Sequence, residues 1–377
     1  MPDTPLFDKA ALAWTLPWDA TWVTAITFIG SSRRLAAGNG FGQIFLWELP
    51  EKSGAPAPPP VRRLDGHSNT VTALAATPDG RWLFSTSYDH TVRVWDLNAA
   101  SEKKETVILD PTARAAAQKA KKKLPESPPI TVGLQQAERV LQAHQEWVRC
   151  LALSQDGTRL LTGDDRGLAI LWEVPKMKEM RRLQVPGWIK AVALSPDTGL
   201  AAVCETCPRI PYDAKMPHST RIWDLANGTV KWDLSKEFLG MYSRILNMSA
   251  AAFADNGKLL ALGQNDEAAA RKVYLADVAT GKKARELVYT SQGNSGITGI
   301  LAHPDGKHLA TCGRDTMVRI WQPADGKLVK ELGKTREPGA FGGSPWLHAI
   351  SFSADGLWLA AADIGGLIHV WSIPPAA

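Results

Sequence analysis

A short pattern recurs seven times along these 377 residues, and the recurrence restricts the chain to folds built from stacked repeats. Each copy opens with an alternating apolar run and passes through a turn rich in Asp and Gly. A second apolar run, a polar turn and a third run follow. The third run ends at a Trp, usually with an acid after it. The clearest copy is residues 71–97, VTALAATPDGRWLFSTSYDHTVRVWDL. The copies start near Val23, Val71, Val148, Ile189, Met248, Ile297 and Leu347, and they end at Trp47, Trp95, Trp172, Trp223, Ala276, Trp321 and Trp371. The pattern thus gives a place to six of the 15 Trp of a chain that has only 5 Tyr.

Alternation with period two predicts strands rather than helices. In Thr77-Pro78-Asp79-Gly80, Pro presets φ and Gly supplies the left-handed position a tight hairpin needs. After each Trp a polar turn leads to a fourth run, such as residues 61–64 (VRRL) or 328–332 (LVKEL), so each unit reads as a four-stranded antiparallel meander. One such sheet is apolar on both faces. Stacking the units radially buries both faces and protects the edges. The last copy stops after three strands at Trp371, and the missing strand is available in residues 11–16 (ALAWTL). The expected fold is all-β: a seven-bladed β-propeller of four-stranded antiparallel blades, residues 1–377 as one domain, its ring closed by the N-terminal strand.

The repeats resemble those of the WD-repeat family over nearly the whole chain, with Trp95-Asp96 and Trp223-Asp224 as its most specific endings. The Pro-Asp-Gly turns are similar to those of bacterial members, which suggests a bacterial source. The resemblance implies a buried hydrogen-bond network in the second repeat, formed by His67, Ser85, Asp89 and Trp95. Such a network locks adjacent strands when every member is paired. Other repeats depart from it. In the third, His144 and Trp172 remain but Arg166 stands where the Asp would fall, with Asp165 beside it. The sixth keeps Asp315 and Trp321, with Asn294 or Ser295 in place of His. The fifth has Ala276 for Trp, and its blade is expected to be less rigid.

Residues 99–138 interrupt the second repeat and are expected to form a basic, partly disordered loop below the blade, with a helix over 112–124 ended by Pro125, Pro128 and Pro129. This insertion carries Arg114, Lys119, Lys121, Lys122 and Lys123 without an intervening acid, which by itself equals the net charge of +5. The basicity is therefore local. A solvated helix is the plain reading of the run, and weak nucleic-acid contact through Lys119, Lys121, Lys122 and Lys123 is the minority one.

The propeller arrangement places the residue before each first strand at the top mouth of the channel. Those residues are Trp22, Thr70, Trp147, Trp188, Asn247, Gly296 and Trp346. Trp is enriched at binding hot spots, so Trp22, Trp147, Trp188 and Trp346 are the candidate partner-binding residues. Tyr212 and Tyr242 come from neighbouring loops in support. In this reading an apolar side chain of the partner lodges between the indoles of Trp147 and Trp188. The alternative is that these Trp simply pack on adjacent loops.

Catalytic signatures are absent: there is no G-x-S-x-G, no G-x-x-x-x-G-K and no H-E-x-x-H. A propeller enzyme with a channel metal is the lowest-ranked reading, because the mouth positions carry no carboxylate. Cys204-Glu205-Thr206-Cys207 is a lone CxxC whose only helpers for zinc are Asp213 and His218, and a chance pair is the better reading. The 4 Cys do not suit a disulfide scaffold, and no signal peptide or membrane-crossing apolar run stands out. The expectation is a non-catalytic scaffold without metal or cofactor. It is cytoplasmic, a monomer or part of a complex, off the membrane, and binds a protein or peptide across its top face.

Overall fold

A computed structural model describes residues 5–18, 20, 22–52, 54–108, 117, 120–123, 127–206, 219–238, 248–265, 272–290, 296–334 and 346–375. The fold is all-β, with seven blades of the β-propeller kind, each built on four antiparallel strands and one of them extended by two more. Two compact units carry them: Pro2–Leu141 with Ser344–Ala377, and Gln142–Gly343. The first unit holds blades 7, 1 and 2, and the second holds blades 3 to 6.

In the first unit, the last blade is completed from the other end of the chain, as the repeat count predicts. Its strands Leu347–Phe352, Trp358–Asp363 and Leu367–Ser372 are followed by the N-terminal strand Ala11–Pro17. That strand pairs antiparallel with Leu367–Ser372, Leu12 opposite Trp371 and Leu16 opposite Ile368. Period-two alternation turns Trp14 and Leu16 inward, where both are buried. They pack with Trp18, Phe45, Trp47 and Val370.

The insertion is where the fold departs from expectation. The sequence predicts a loop and helix below blade 2 for residues 99–138. The structure shows two strands in this segment, and they belong to blade 1. Ile130–Gln136 runs parallel to Arg62–Asp65, and Glu102–Thr106 pairs antiparallel outside it, so the sheet of blade 1 has six strands. The physical reason is local. Val132 is buried. The amide of Gln135 donates to Asp96 O at 2.7 Å and accepts from Arg62 Nη1 at 2.8 Å. Chain then returns to blade 2, whose fourth strand is Arg139–Leu141. The new outer edge, Glu102–Thr106, is exposed and charged, which blunts it against pairing with other chains. The expected helix falls mostly outside the described residues.

The buried network of blade 2 is present as the resemblance implies. Trp95 Nε1 donates to Ser85 Oγ at 2.9 Å, Ser85 Oγ meets His67 Nε2 at 2.7 Å, and His67 Nδ1 meets Asp89 Oδ2 at 2.7 Å. The pairing assigns one neutral tautomer: Ser85 donates to Nε2, and Nδ1–H donates to the carboxylate. Burial pushes the His67 pKa below its ordinary value, against the pull of Asp89. Burial alone would raise the Asp89 carboxyl, but hydrogen bonds from His67 and Thr91 outweigh it and hold it well below the usual carboxylate range.

Blade 3 has the same network, which corrects the expectation that Arg166 disrupts it. His144 Nδ1 meets Asp164 Oδ2 at 2.7 Å, His144 Nε2 meets Thr162 Oγ1 at 2.9 Å, and Trp172 Nε1 donates to Thr162 at 3.0 Å. The carboxylate comes from the end of the second strand rather than from the turn after it. Its other oxygen accepts the backbone N–H of Arg166 and Leu168, both at 2.9 Å. In blade 6, Trp321 Nε1 reaches Thr311 at 3.0 Å, and the counter-charge of Asp315 is Arg319 at 2.6 Å. That guanidinium is only 2% exposed and lies 4.0 Å over the Tyr289 ring. Asn294 and Ser295 lie outside the described residues. In blade 5, Ala276 is buried beside Phe238 and Tyr274, whose rings meet edge-on at 5.5 Å.

Candidate functional site

Each first strand carries the same irregularity close to its start: a shift of register against the second strand. The shifted residues are Thr24, Thr72, Arg149, Lys190, Ser249, Thr298 and His348. A bulge bends the strand and re-aims the extra side chain. Short hydroxyls at this position bond to nearby backbone: Thr24 donates to Val71 O of the next blade at 2.5 Å and Thr298 to Cys312 O of its own sheet at 3.2 Å. Arg149 and Lys190, in the adjacent blades 3 and 4, are too long for this and lie along the neighbouring indoles.

Four side chains there form a row. The Arg149 guanidinium carbon is 5.5 Å from the Trp147 ring centroid and 5.9 Å from that of Trp188. Lys190 Nζ stands 5.0 Å from the Trp188 centroid. Asp165 fixes the arrangement twice: its carboxylate is ion-paired with Arg149 Nε, and its N–H donates to Trp147 O at 3.1 Å. Cation–π contacts at such partly exposed positions contribute about 0.5–1 kcal/mol each. Burial, and then the charge of Arg149, push the Lys190 pKa below its ordinary value. Two cations against one carboxylate leave the cluster one net positive charge.

This geometry changes the expected use of the indoles. The space between Trp147 and Trp188 holds a guanidinium, so an apolar side chain of a partner does not lodge there. What faces solvent is the remainder of Trp147, 41% exposed, with part of Trp188 and part of Lys190. Arg149, Lys190 and Asp165 were missed in the sequence. The available signal was a cation two places after the Trp in both Trp147-Val148-Arg149 and Trp188-Ile189-Lys190.

The remaining candidates fall apart from this row. Trp22 is 57% exposed in the other unit, where the neighbouring hairpin of blade 1 presents Phe41 at 66%. Trp346 of blade 7 is partly exposed. Tyr212 and Tyr242 lie outside the described residues, as do Asn247 and Lys119; Lys121, Lys122 and Lys123 are exposed. For the CxxC, Cys204 is buried, burial pushes its thiol up to about 12, and Thr220 donates to its sulfur at 3.5 Å. Glu205 within the motif is also buried, ion-paired with Arg221 and accepting the N–H of Gly187 at 2.9 Å. Cys207, Asp213 and His218 lie outside the described residues, and no cluster of metal-ligating side chains occurs among the described ones.

Comparison with known proteins accords with this architecture. Residues 58–96, 135–173, 285–322 and 338–372 match the model "WD domain, G-beta repeat". The chain is similar to the target of rapamycin complex subunit wat1 of Schizosaccharomyces pombe, 23% identical over 66% of this chain and 76% of the relative. It is also similar to the cross-pathway control WD-repeat protein 2 of Flammulina velutipes, 25% identical over 83% of this chain and 98% of the relative. A third relative is the small ribosomal subunit protein RACK1y of Oryza sativa subsp. japonica, 25% identical over 69% of this chain and 94% of the relative. These relatives are eukaryotic and lend no support to the bacterial kinship read from the turns. In blade architecture, in the Trp-Ser-His-Asp network and in the four matched stretches, this chain is similar to the WD40-repeat family.

Proposed function

We propose that this chain is a non-catalytic scaffold that binds protein segments at the end of blades 3 and 4 where Trp147, Arg149, Trp188 and Lys190 lie in a row. The observation that carries the reading is the half-exposed aromatic and cationic surface fixed by Asp165. Its side chains are held by strand ends and an ion pair, so little conformational entropy is lost when a partner binds. Two of the similar proteins bear names of assembly members, a target of rapamycin complex subunit and a small ribosomal subunit protein, which supports a role in binding other proteins. In this role the chain acts in the cytoplasm, as a monomer or as part of a complex, without a cofactor. The exposed Lys121, Lys122 and Lys123 add no specific geometry in favour of nucleic acid.

The test is affinity capture from native host extract with the intact chain and with a Trp147→Ala/Trp188→Ala double variant. Loss of specific protein partners in the variant, with folding intact, is the expected result. Partners retained in full by the double variant would place the contact surface elsewhere.

A further inference from the structure

Lys190 is the unsatisfied member of the row. Arg149 has Asp165, and Trp147 and Trp188 have the cations beside them. Among the described residues Lys190 makes no hydrogen bond and no ion pair; its interaction is with the Trp188 ring. A half-buried ammonium beside a guanidinium is short of negative charge, and ammonium groups so placed are stabilised most by a charge-assisted hydrogen bond. Among the described residues the shortage is one unit, since Asp165 already balances one of the two cations. That favours a single carboxylate over a phosphate, which carries nearly two charges at neutral pH. The exposed remainder of Trp147 supplies apolar surface beside the ammonium.

We propose that Lys190 holds a carboxylate of an acidic peptide segment, with an apolar side chain of the same segment lying on the exposed part of Trp147. This rests on the protein-binding reading above and names the chemistry of the partner: Glu or Asp next to an apolar residue. Arg149 acts as a positioning residue, keeping the indoles apart and the local potential positive.

The test uses the intact chain and fluorescein-labelled peptides of alternating Leu with Glu, Gln, Lys or phosphoserine, read by fluorescence anisotropy. The Glu peptide is expected to bind, with the Gln peptide about ten-fold weaker or more. Lys190→Met should bring the Glu peptide down to the level of the Gln peptide, while Lys190→Arg restores most of the difference. Met fills a half-buried site without a charge, so the melting temperature of that variant should stay at the wild-type value and exclude misfolding as the cause. Equal binding of Glu and Gln peptides, no binding of the Glu peptide, or full Glu binding by Lys190→Met overturns the assignment. Phosphoserine binding more than about ten-fold tighter than Glu also overturns it, because the site would then favour a dianion. If these fail while partner capture still depends on Trp147 and Trp188, only the carboxylate assignment falls. If that dependence fails too, the protein-binding reading falls with it.

Discussion

Replacing Asp164 by Ala tests the network of blade 3 at the point where sequence and structure part. The carboxylate is 1% exposed and accepts from His144 Nδ1 at 2.7 Å and from two backbone N–H groups at 2.9 Å. Its removal leaves the fully buried His144 ring with an unpaired donor, which costs about 1–3 kcal/mol. The two backbone donors sit at a turn that water reaches, so each loses only about 0.5–1 kcal/mol. The expected loss is therefore on the order of 3 kcal/mol. Arg166→Ala removes an exposed contact to Gln145 and should change stability by less than about 0.5 kcal/mol. Urea unfolding followed by Trp fluorescence reads both, with Trp172 of the same network among the reporters. The reasoning is refuted if Asp164→Ala unfolds within about 0.5 kcal/mol of wild type, or if Arg166→Ala is the more damaging change.

Three further outcomes follow from the packing. Deleting residues 1–18 strips the partner from Leu367–Ser372 and removes Trp14 and Leu16 from the core, so the product should aggregate or melt well below wild type in a thermal scan with light scattering. Replacing residues 99–138 by a Gly-Ser linker uncovers the edge at Arg62–Asp65 and removes buried Val132, so it should lower the unfolding midpoint measurably; an unchanged midpoint would make the two added strands mere decoration. The third concerns pH. The folded His67 pKa is lowered, so the unfolded chain binds more protons once the pH falls below about 6.5, and the stability due to neutral burial is lost from there downward. Asp89, also lowered, adds its loss only below about pH 4. A His67→Asn variant, less stable at neutral pH, should show a shallower fall in unfolding midpoint between about pH 6.5 and 5 than wild type.

The blades were legible because their cause is local. Period-two alternation, Asp-Gly hairpins and the terminal Trp each act within a few residues, and the count of three strands after Leu347 pointed to the N-terminal strand. The network of blade 2 was legible for the same reason. That of blade 3 was not, because Thr162 and Trp172 keep the same separation as Ser85 and Trp95 while the carboxylate moves two residues earlier, to Asp164. The strand Ile130–Gln136 does alternate, with Ile130, Val132 and Leu134 in phase. Its partner Glu102–Thr106 has no apolar residue, and the pairing of Ile130–Gln136 with Arg62–Asp65 joins segments far apart in sequence. The indoles were found from their place before each first strand. Arg149 and Lys190 were not, because a bulge rather than strict alternation decides where they point.

The central claim, that the end of blades 3 and 4 is where proteins bind, is tested most directly by a photo-crosslinking amino acid at position 146 in the native host, an exposed site beside Trp147 that leaves the row itself intact. A second chain carries it at position 325, an exposed turn of blade 6 and the control. Irradiation should join the position-146 chain to one or a few defined proteins, while position 325 gives none of those products. Crosslinks to the same proteins from both positions, or none from position 146, would contradict the account.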